Sequence, residues 1–162
     1  MLCRRLDKCF LSMYPSENWM CRIRSLTSFP KAIRAMRICS ATCRIIFMKK
    51  KLPPSYFINV GTIMDKEHFM EGTYTSQTAF IFVDDLYPDT GSIRTLPQSM
   101  YLSVASDNTS LEAEYANRLY EEMTRQDMIP SGDYICEVLT QFPLDHSEHM
   151  IYKIQIPVRR RS

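Results

Sequence analysis

The chain has 162 residues, 45% of them apolar and 23% charged, with a net charge of only +2. That length suits one ordinary domain or two small halves sharing a core, and the composition excludes a disordered chain. No apolar run approaches the roughly 18–20 residues that span a bilayer, and the basic N-terminus lacks the apolar core and cleavage site of a signal peptide, so a cytoplasmic location with no membrane partner is expected.

The charge is unevenly placed. Residues 1–51 carry a surplus of ten positive charges, residues 52–158 a surplus of eleven negative ones, and Arg159-Arg160-Arg161 closes the chain. Such asymmetry either marks contact with an anionic surface or lets the two parts face each other or solvent. Six cysteines (Cys3, Cys9, Cys21, Cys39, Cys43, Cys136) form no CxxC pair and no zinc spacing, so reduced thiols are expected.

In chain order, Lys8 to Tyr14 reads as a strand stopped by Pro15-Ser16. Ser16 then caps a short helix through Arg24, with Glu17 in its first turn. A second helix is expected from Ser28, with Pro30 at its first position. Lys49 to Pro54 reads as a solvated linker. Tyr56 to Ile63 is rich in β-branched and aromatic residues and predicts a strand. Asp65 to Gly72 is one helical turn or a loop. Ala79-Phe80-Ile81-Phe82-Val83 is a continuous apolar run, as in a strand covered on both faces. Asp84 to Gly91 is a polar connection.

Ser92 to Pro97 holds a short extended piece, and Met100 to Val104 predicts a strand ended by Asp107-Asn108-Thr109. Thr109-Ser110-Leu111-Glu112 matches a capping box in which Thr109 and Glu112 satisfy each other's free backbone donors. The helix running from there to about Gln126 repeats Leu111, Tyr115, Leu119 and Met123 every four residues, with Ala116 and Tyr120 beside them as core candidates. Pro130-Ser131-Gly132 ends the segment. Strands near 134–140 and 150–157 follow, joined by a loop holding His146 and His149.

Within the apolar run Tyr134-Ile135-Cys136-Glu137-Val138-Leu139 stands one acid, Glu137. Burying a carboxylate is costly unless something compensates it. Either Glu137 lines a pocket where a cationic ligand compensates it, or it lies on a half-solvated sheet face, or it pairs with Lys153 on a neighbouring strand. Aromatic side chains near it would add contact area and cation–π attraction. The candidates are Trp19, Phe57, Tyr101, Tyr134 and Tyr152, with Tyr56 beside them. No nucleophile elbow, Walker loop or dinucleotide fingerprint is present, and four glycines make a phosphate cradle improbable. No cofactor, metal or catalytic residue is assigned.

Several motifs together resemble the effector-binding domain of MerR-type multidrug-sensing transcriptional regulators, the BmrR-like and GyrI-like fold. They are Leu96-Pro97 before the Tyr101 strand, the capped helix, Ile129-Pro130-Ser131-Gly132-Asp133 before the Glu137 strand, and Ile154-Gln155-Ile156-Pro157-Val158. Upstream, Val60-Gly61-Thr62-Ile63, Lys66-Glu67-His68-Phe69 and Gly72-Thr73-Tyr74 match the close of a first half.

The resemblance covers residues 55–158, with first-half strands in 55–90 and the second half in 91–158. Residues 1–54 are a basic stretch that holds a degenerate first strand and helix, and 159–162 is a basic tail. The resemblance implies an α+β fold of two β-α-β-β units with pseudo-twofold symmetry. A curved antiparallel sheet would carry helices on one face, with a ligand cavity at the junction of the halves.

The function so implied is binding of a hydrophobic or cationic small molecule at Glu137, by the sensing part of a regulator without its DNA-binding domain. DNA binding by this chain alone is not expected. Two alternatives stand beside it: a GyrI-like hydrolase of lipophilic compounds with Glu137 as general base, and a module that binds a protein partner through its acidic half, like the gyrase inhibitors.

Overall fold

The computed structural model describes residues 10–14, 21–33, 60–83, 93–96, 98–140 and 151–161. Trp19, Phe57, the 49–54 linker, the 84–91 connection and the 146–149 loop lie outside them.

Nine strands are described: β1 (Phe10–Tyr14), β2 (Cys21–Ile33), β3 (Val60–Met64), β4 (Ser76–Val83), β5 (Ile93–Leu96), β6 (Ser99–Ser106), β7 (Met128–Pro130), β8 (Tyr134–Thr140) and β9 (Ile151–Arg160). Two helices accompany them, α1 (Lys66–Met70) and α2 (Glu112–Arg125), and a 3₁₀ turn at Thr109–Leu111 leads into α2. All the strands join one sheet in the order β1-β6-β9-β8-β3-β4-β2-β5, with β7 added against β9. Every pairing is antiparallel.

This order is a palindrome of two units. In the second unit β6, β9 and β8 lie side by side; in the first, β2, β4 and β3 do the same in mirror order, and β8 meets β3 at the middle. Each unit also lends a strand to the other. β1 precedes the first unit but pairs with β6 of the second, and β5 precedes the second but pairs with β2 of the first. The fold is α+β with pseudo-twofold symmetry.

The core sits between the sheet and its helices. Phe69 of α1 and Tyr115, Ala116, Leu119 and Met123 of α2 pack against Met64, Leu102, Val104, Tyr134, Cys136, Tyr152, Ile154, Ile156 and Val158. The fourfold spacing of the α2 residues puts them on one stripe, as the sequence predicts. The opposite sheet face carries a smaller cluster of Ile63, Phe80, Leu96, Tyr101 and Ile135, with Phe82 against it.

Both faces of β8 and β9 are therefore covered. Tyr134 through Val138 and Ile154 through Val158 are buried without interruption. That is why these strands read as apolar runs rather than alternating ones.

Two expectations need correction. Residues 21–24 and 28–33, read as helical, form the long strand β2. Pairing with β4 on one side and β5 on the other holds them extended. Register shifts after Ser25 and Ser28 absorb the irregularity around Pro30.

At the entrance to α2 the Thr109 side chain of the expected capping box lies outside the described residues. Asn108 caps the 3₁₀ turn that leads into the helix, its side chain accepting from the Ser110 backbone N–H at 3.0 Å. Glu112 reaches the Tyr134 hydroxyl, which donates to its Oε1 at 3.4 Å. The strand β7, unmarked in the sequence, forms because Met128 to Pro130 return along the free edge of β9.

Candidate functional site

Glu137 belongs to the sheet face away from α1 and α2. Side chains alternate along a strand, so Tyr134, Cys136 and Val138 face the helices while Ile135 and Glu137 face away. The cross-strand registers extend this into two adjacent rows. One runs Ala105, Lys153, Glu137, Gly61, Phe80 across β6, β9, β8, β3 and β4. The other runs Ser103, Gln155, Ile135, Ile63, Thr78 across the same strands. Residues two apart in a strand are roughly 6.8 Å from each other. Four polar side chains thus cluster on the β6–β9–β8 side, and an apolar group lies on the β8–β3–β4 side.

Glu137 is only 6% exposed. The Lys153 ammonium lies 3.5 Å from its Oε1, with side-chain exposures of 15% and 8%. At that distance the gross Coulomb attraction is about 5 kcal/mol for an effective dielectric near 20, most of it offset by desolvation of both ions.

Beside this pair Gln155 and Ser103 are fully buried, 0% exposed each. Neither Gln155 Oε1 and Nε2 nor Ser103 Oγ has a hydrogen-bond partner among the described residues. Leaving such groups unpaired costs about 1–3 kcal/mol each, so a protein that retains them is disposed to accept a polar ligand or water there.

Gly61 stands opposite Glu137 in register, closely packed on its own side. A Cβ there would lie 2.6 Å from the Phe80 ring and 2.5 Å from the Cys136 carbonyl oxygen. Its absence lets the Phe80 ring lie across the strand, edge-on to Phe82 at 5.2 Å between centroids. The site therefore has an aromatic flank and a polar one. At one margin Arg94 holds Asp133 at 3.1 Å, and Asp133 also accepts the Lys66 backbone N–H.

The aromatic candidates separate by face. Tyr101 lies on the Glu137 face, opposite Pro157 in register and four residues along β9 from Lys153, about 13 Å away along the strand. Tyr134 and Tyr152 lie on the helix face. The Tyr134 ring stacks on Phe69 at 5.6 Å, and the Tyr152 hydroxyl donates to the Asn108 carbonyl oxygen at 2.8 Å. Burial, together with the Glu112 carboxylate, pushes the Tyr134 phenol and the Cys136 thiol well above their usual ranges. Cys136 is consequently a protonated, buried thiol rather than a nucleophile. Trp19 and Phe57 lie outside the described residues.

Ser103 and Gln155 had no distinguishing mark in the sequence beyond being polar residues inside buried strands. Among the described residues no group of three potential ligands could hold a metal ion, and no helix is long and apolar enough to cross a membrane.

No known protein family matches the sequence, and neither does any curated protein. Solved structures do share its fold. The cryo-EM structure of EcmrR on DNA aligns with a TM-score of 0.67 at 15% identity, covering 95% of this chain and 58% of that one. The crystal structure of the EcmrR C-terminal domain aligns at 0.64 and 14%, covering 95% and 98%. A hydrolase of Listeria innocua aligns at 0.51 and 10%, covering 97% and 94%. The chain spans little more than half of the DNA-bound EcmrR chain but nearly all of the isolated domain. The fold is that of the EcmrR C-terminal domain, the architecture implied by the resemblance to effector-binding domains of MerR-type regulators.

Proposed function

We propose that this chain is a small-molecule effector-binding domain of a transcriptional regulator, taking an amphipathic ligand on the sheet face away from its helices. The observation that carries this reading is the buried carboxylate of Glu137 beside unpartnered Gln155 and Ser103, next to the apolar group around Phe80 and Ile135. A ligand with an apolar body and a polar head matches both flanks. Glu137 would contact the head, and Tyr101 would meet the far end of a long ligand. The likeness to the EcmrR C-terminal domain supports the regulator context.

The test is calorimetry and thermal denaturation with a panel of amphipathic aromatic compounds. A saturating ligand at one hundred times its Kd stabilises the folded chain by about 2.7 kcal/mol. Glu137→Gln is expected to weaken binding about tenfold or more, because a charge-assisted contact is lost. If no compound raises the melting temperature, the effector reading fails.

The Listeria hydrolase of like fold supports a second reading, in which Glu137 is the general base of a hydrolase acting on lipophilic compounds. Turnover of such compounds, abolished in Glu137→Gln, would establish it. Substrate loss indifferent to that substitution excludes the mechanism.

A further inference from the structure

We propose that the Arg94–Asp133 ion pair is a latch holding strand β5 over the inner face of a curled sheet, and that its release opens this face to solvent. The proposal concerns a movement of the fold and stands whether or not the effector-binding reading holds.

The sheet is curled by its own connections. Between β6 and β5 lie six strand-to-strand steps in the sheet order, about 29 Å if the sheet were flat. Yet β5 ends at Leu96 and β6 begins at Ser99, and three Cα steps span at most about 11 Å. The two sides of the sheet are therefore drawn together. They meet on the face away from α1 and α2, where Leu96 of β5 packs in one cluster with Tyr101 of β6 and with Ile135, Ile63 and Phe80 of the strands between. Ser103 stands two residues from Tyr101 on the same face, and Gln155 stands opposite both Ser103 and Ile135. Both polar residues are fully buried next to members of the cluster that Leu96 joins.

Arg94 lies two residues before Leu96 and so faces the same side. Its Nη2 donates to Asp133 Oδ2 at 3.1 Å. Asp133 directly precedes β8, four places from β5 in the sheet order. The pair thus bridges the mouth of the curl rather than neighbouring strands.

Asp133 is the fixed half of the latch. Ser131 donates its N–H to the Pro157 carbonyl oxygen at 2.8 Å, and Gly132 lies so close to the Pro157 ring that a Cβ would come within 2.9 Å of it. Asp133 Oδ1 also accepts the Lys66 N–H at the start of α1, at 3.3 Å. Arg94 is the movable half. It sits on a four-residue strand that pairs with β2 alone among the described residues. Its side chain is 55% exposed, against 28% for Asp133. Dissolved ions compete with such a pair, and a short strand at the end of a sheet is the element that yields first.

The test measures alkylation by iodoacetamide, mapped peptide by peptide, in the full chain carrying Ser103→Cys. Position 103 lies on the inner face, whereas the natural Cys136 is buried on the helix face and reports any general loosening. Arg94→Met is expected to speed alkylation at position 103 about threefold, the scale of an exposed ion pair, and to leave Cys136 unchanged. Asp133→Asn keeps an acceptor for the Lys66 N–H and is expected to give the same rise. The two substitutions together are expected to do no more than either alone, because both remove one contact. Raising NaCl from about 0.05 M to about 0.5 M is expected to produce the rise where the pair is intact and in neither variant.

No acceleration at position 103, equal acceleration at positions 103 and 136, additive effects of the two substitutions, or rates indifferent to salt overturn the proposal. Where circular dichroism shows Ser103→Cys to be poorly folded, hydrogen exchange in the chain without that substitution takes its place. Faster exchange of Ile93–Leu96 in Arg94→Met with α2 unaltered supports the latch, and unaltered exchange of β5 overturns it.

Discussion

Glu137 and Gly61 face each other across β8 and β3, and each explains the other. The glycine's missing side chain gives the Phe80 ring its place, and that ring forms the apolar flank of the carboxylate. Gly61→Ala is expected to destabilise the chain by about 2 kcal/mol, because the added Cβ meets both the ring and the Cys136 carbonyl and one of them must move. A urea titration checks this, the midpoint falling with an unchanged slope. An unaltered midpoint would mean that the strands part without cost. The apolar run around Glu137 made it stand out in the sequence. Its Lys153 partner was one of three alternatives open there, and β8–β9 register decides that the two meet.

Helix α2 is the element most fully legible in advance. Its stripe of Tyr115, Leu119 and Met123 is the buried one, and its end at Arg125 lies within one residue of expectation. Its C-terminal turn holds a titratable device. Arg125 donates to both oxygens of Glu122, at 2.8 and 2.6 Å, and Gln126 donates to Oε1 as well. These bonds pull the Glu122 carboxyl down to about 2.

A carboxyl depressed in the folded state adds stability above its unfolded pKa, and that stability is lost as pH falls from about 4.5 towards 2. The group is close to solvent, so the contribution is small, roughly 0.5 kcal/mol. Glu122→Gln is therefore expected to flatten the decline in melting temperature between pH 5 and pH 2 while leaving its value near pH 7 slightly lower. Parallel profiles for the two proteins would show that the turn is electrostatically neutral. At the start of α2 Asn108 takes up the Ser110 N–H, and Glu112 accepts from the hydroxyl of Tyr134, a residue distant in sequence.

At the scale of the whole molecule the two units are interlocked rather than merely adjacent. β1 completes the edge of β6, β5 completes the edge of β2, and β3 meets β8 at the centre. Each unit alone would expose strand edges and one side of its central strand, and would bury too little apolar surface to offset chain entropy. Residues 91–162 expressed alone are thus expected to show no cooperative thermal transition, whereas the full chain shows one. Circular dichroism of the fragment distinguishes these outcomes, and a sharp fragment transition would mean that the second unit folds without its partner strands.

Strands β4, β6, β8 and β9, helix α2, and the α+β class with its two-unit resemblance were legible from the residues alone. Each depends on neighbours within one segment: apolar runs, a fourfold stripe, turn residues between them. Pairing across the sheet was needed to establish that β2 is a strand, that β7 exists, and that Tyr101 shares a face with Glu137 while Tyr134 and Tyr152 are turned to the helices. The same holds for the cluster of Ser103, Gln155, Lys153 and Glu137, drawn from two adjacent rows. Which residues lie abreast depends on strand register, and register arises from pairing between segments as distant in sequence as Phe10 and Ser103, which no local pattern encodes.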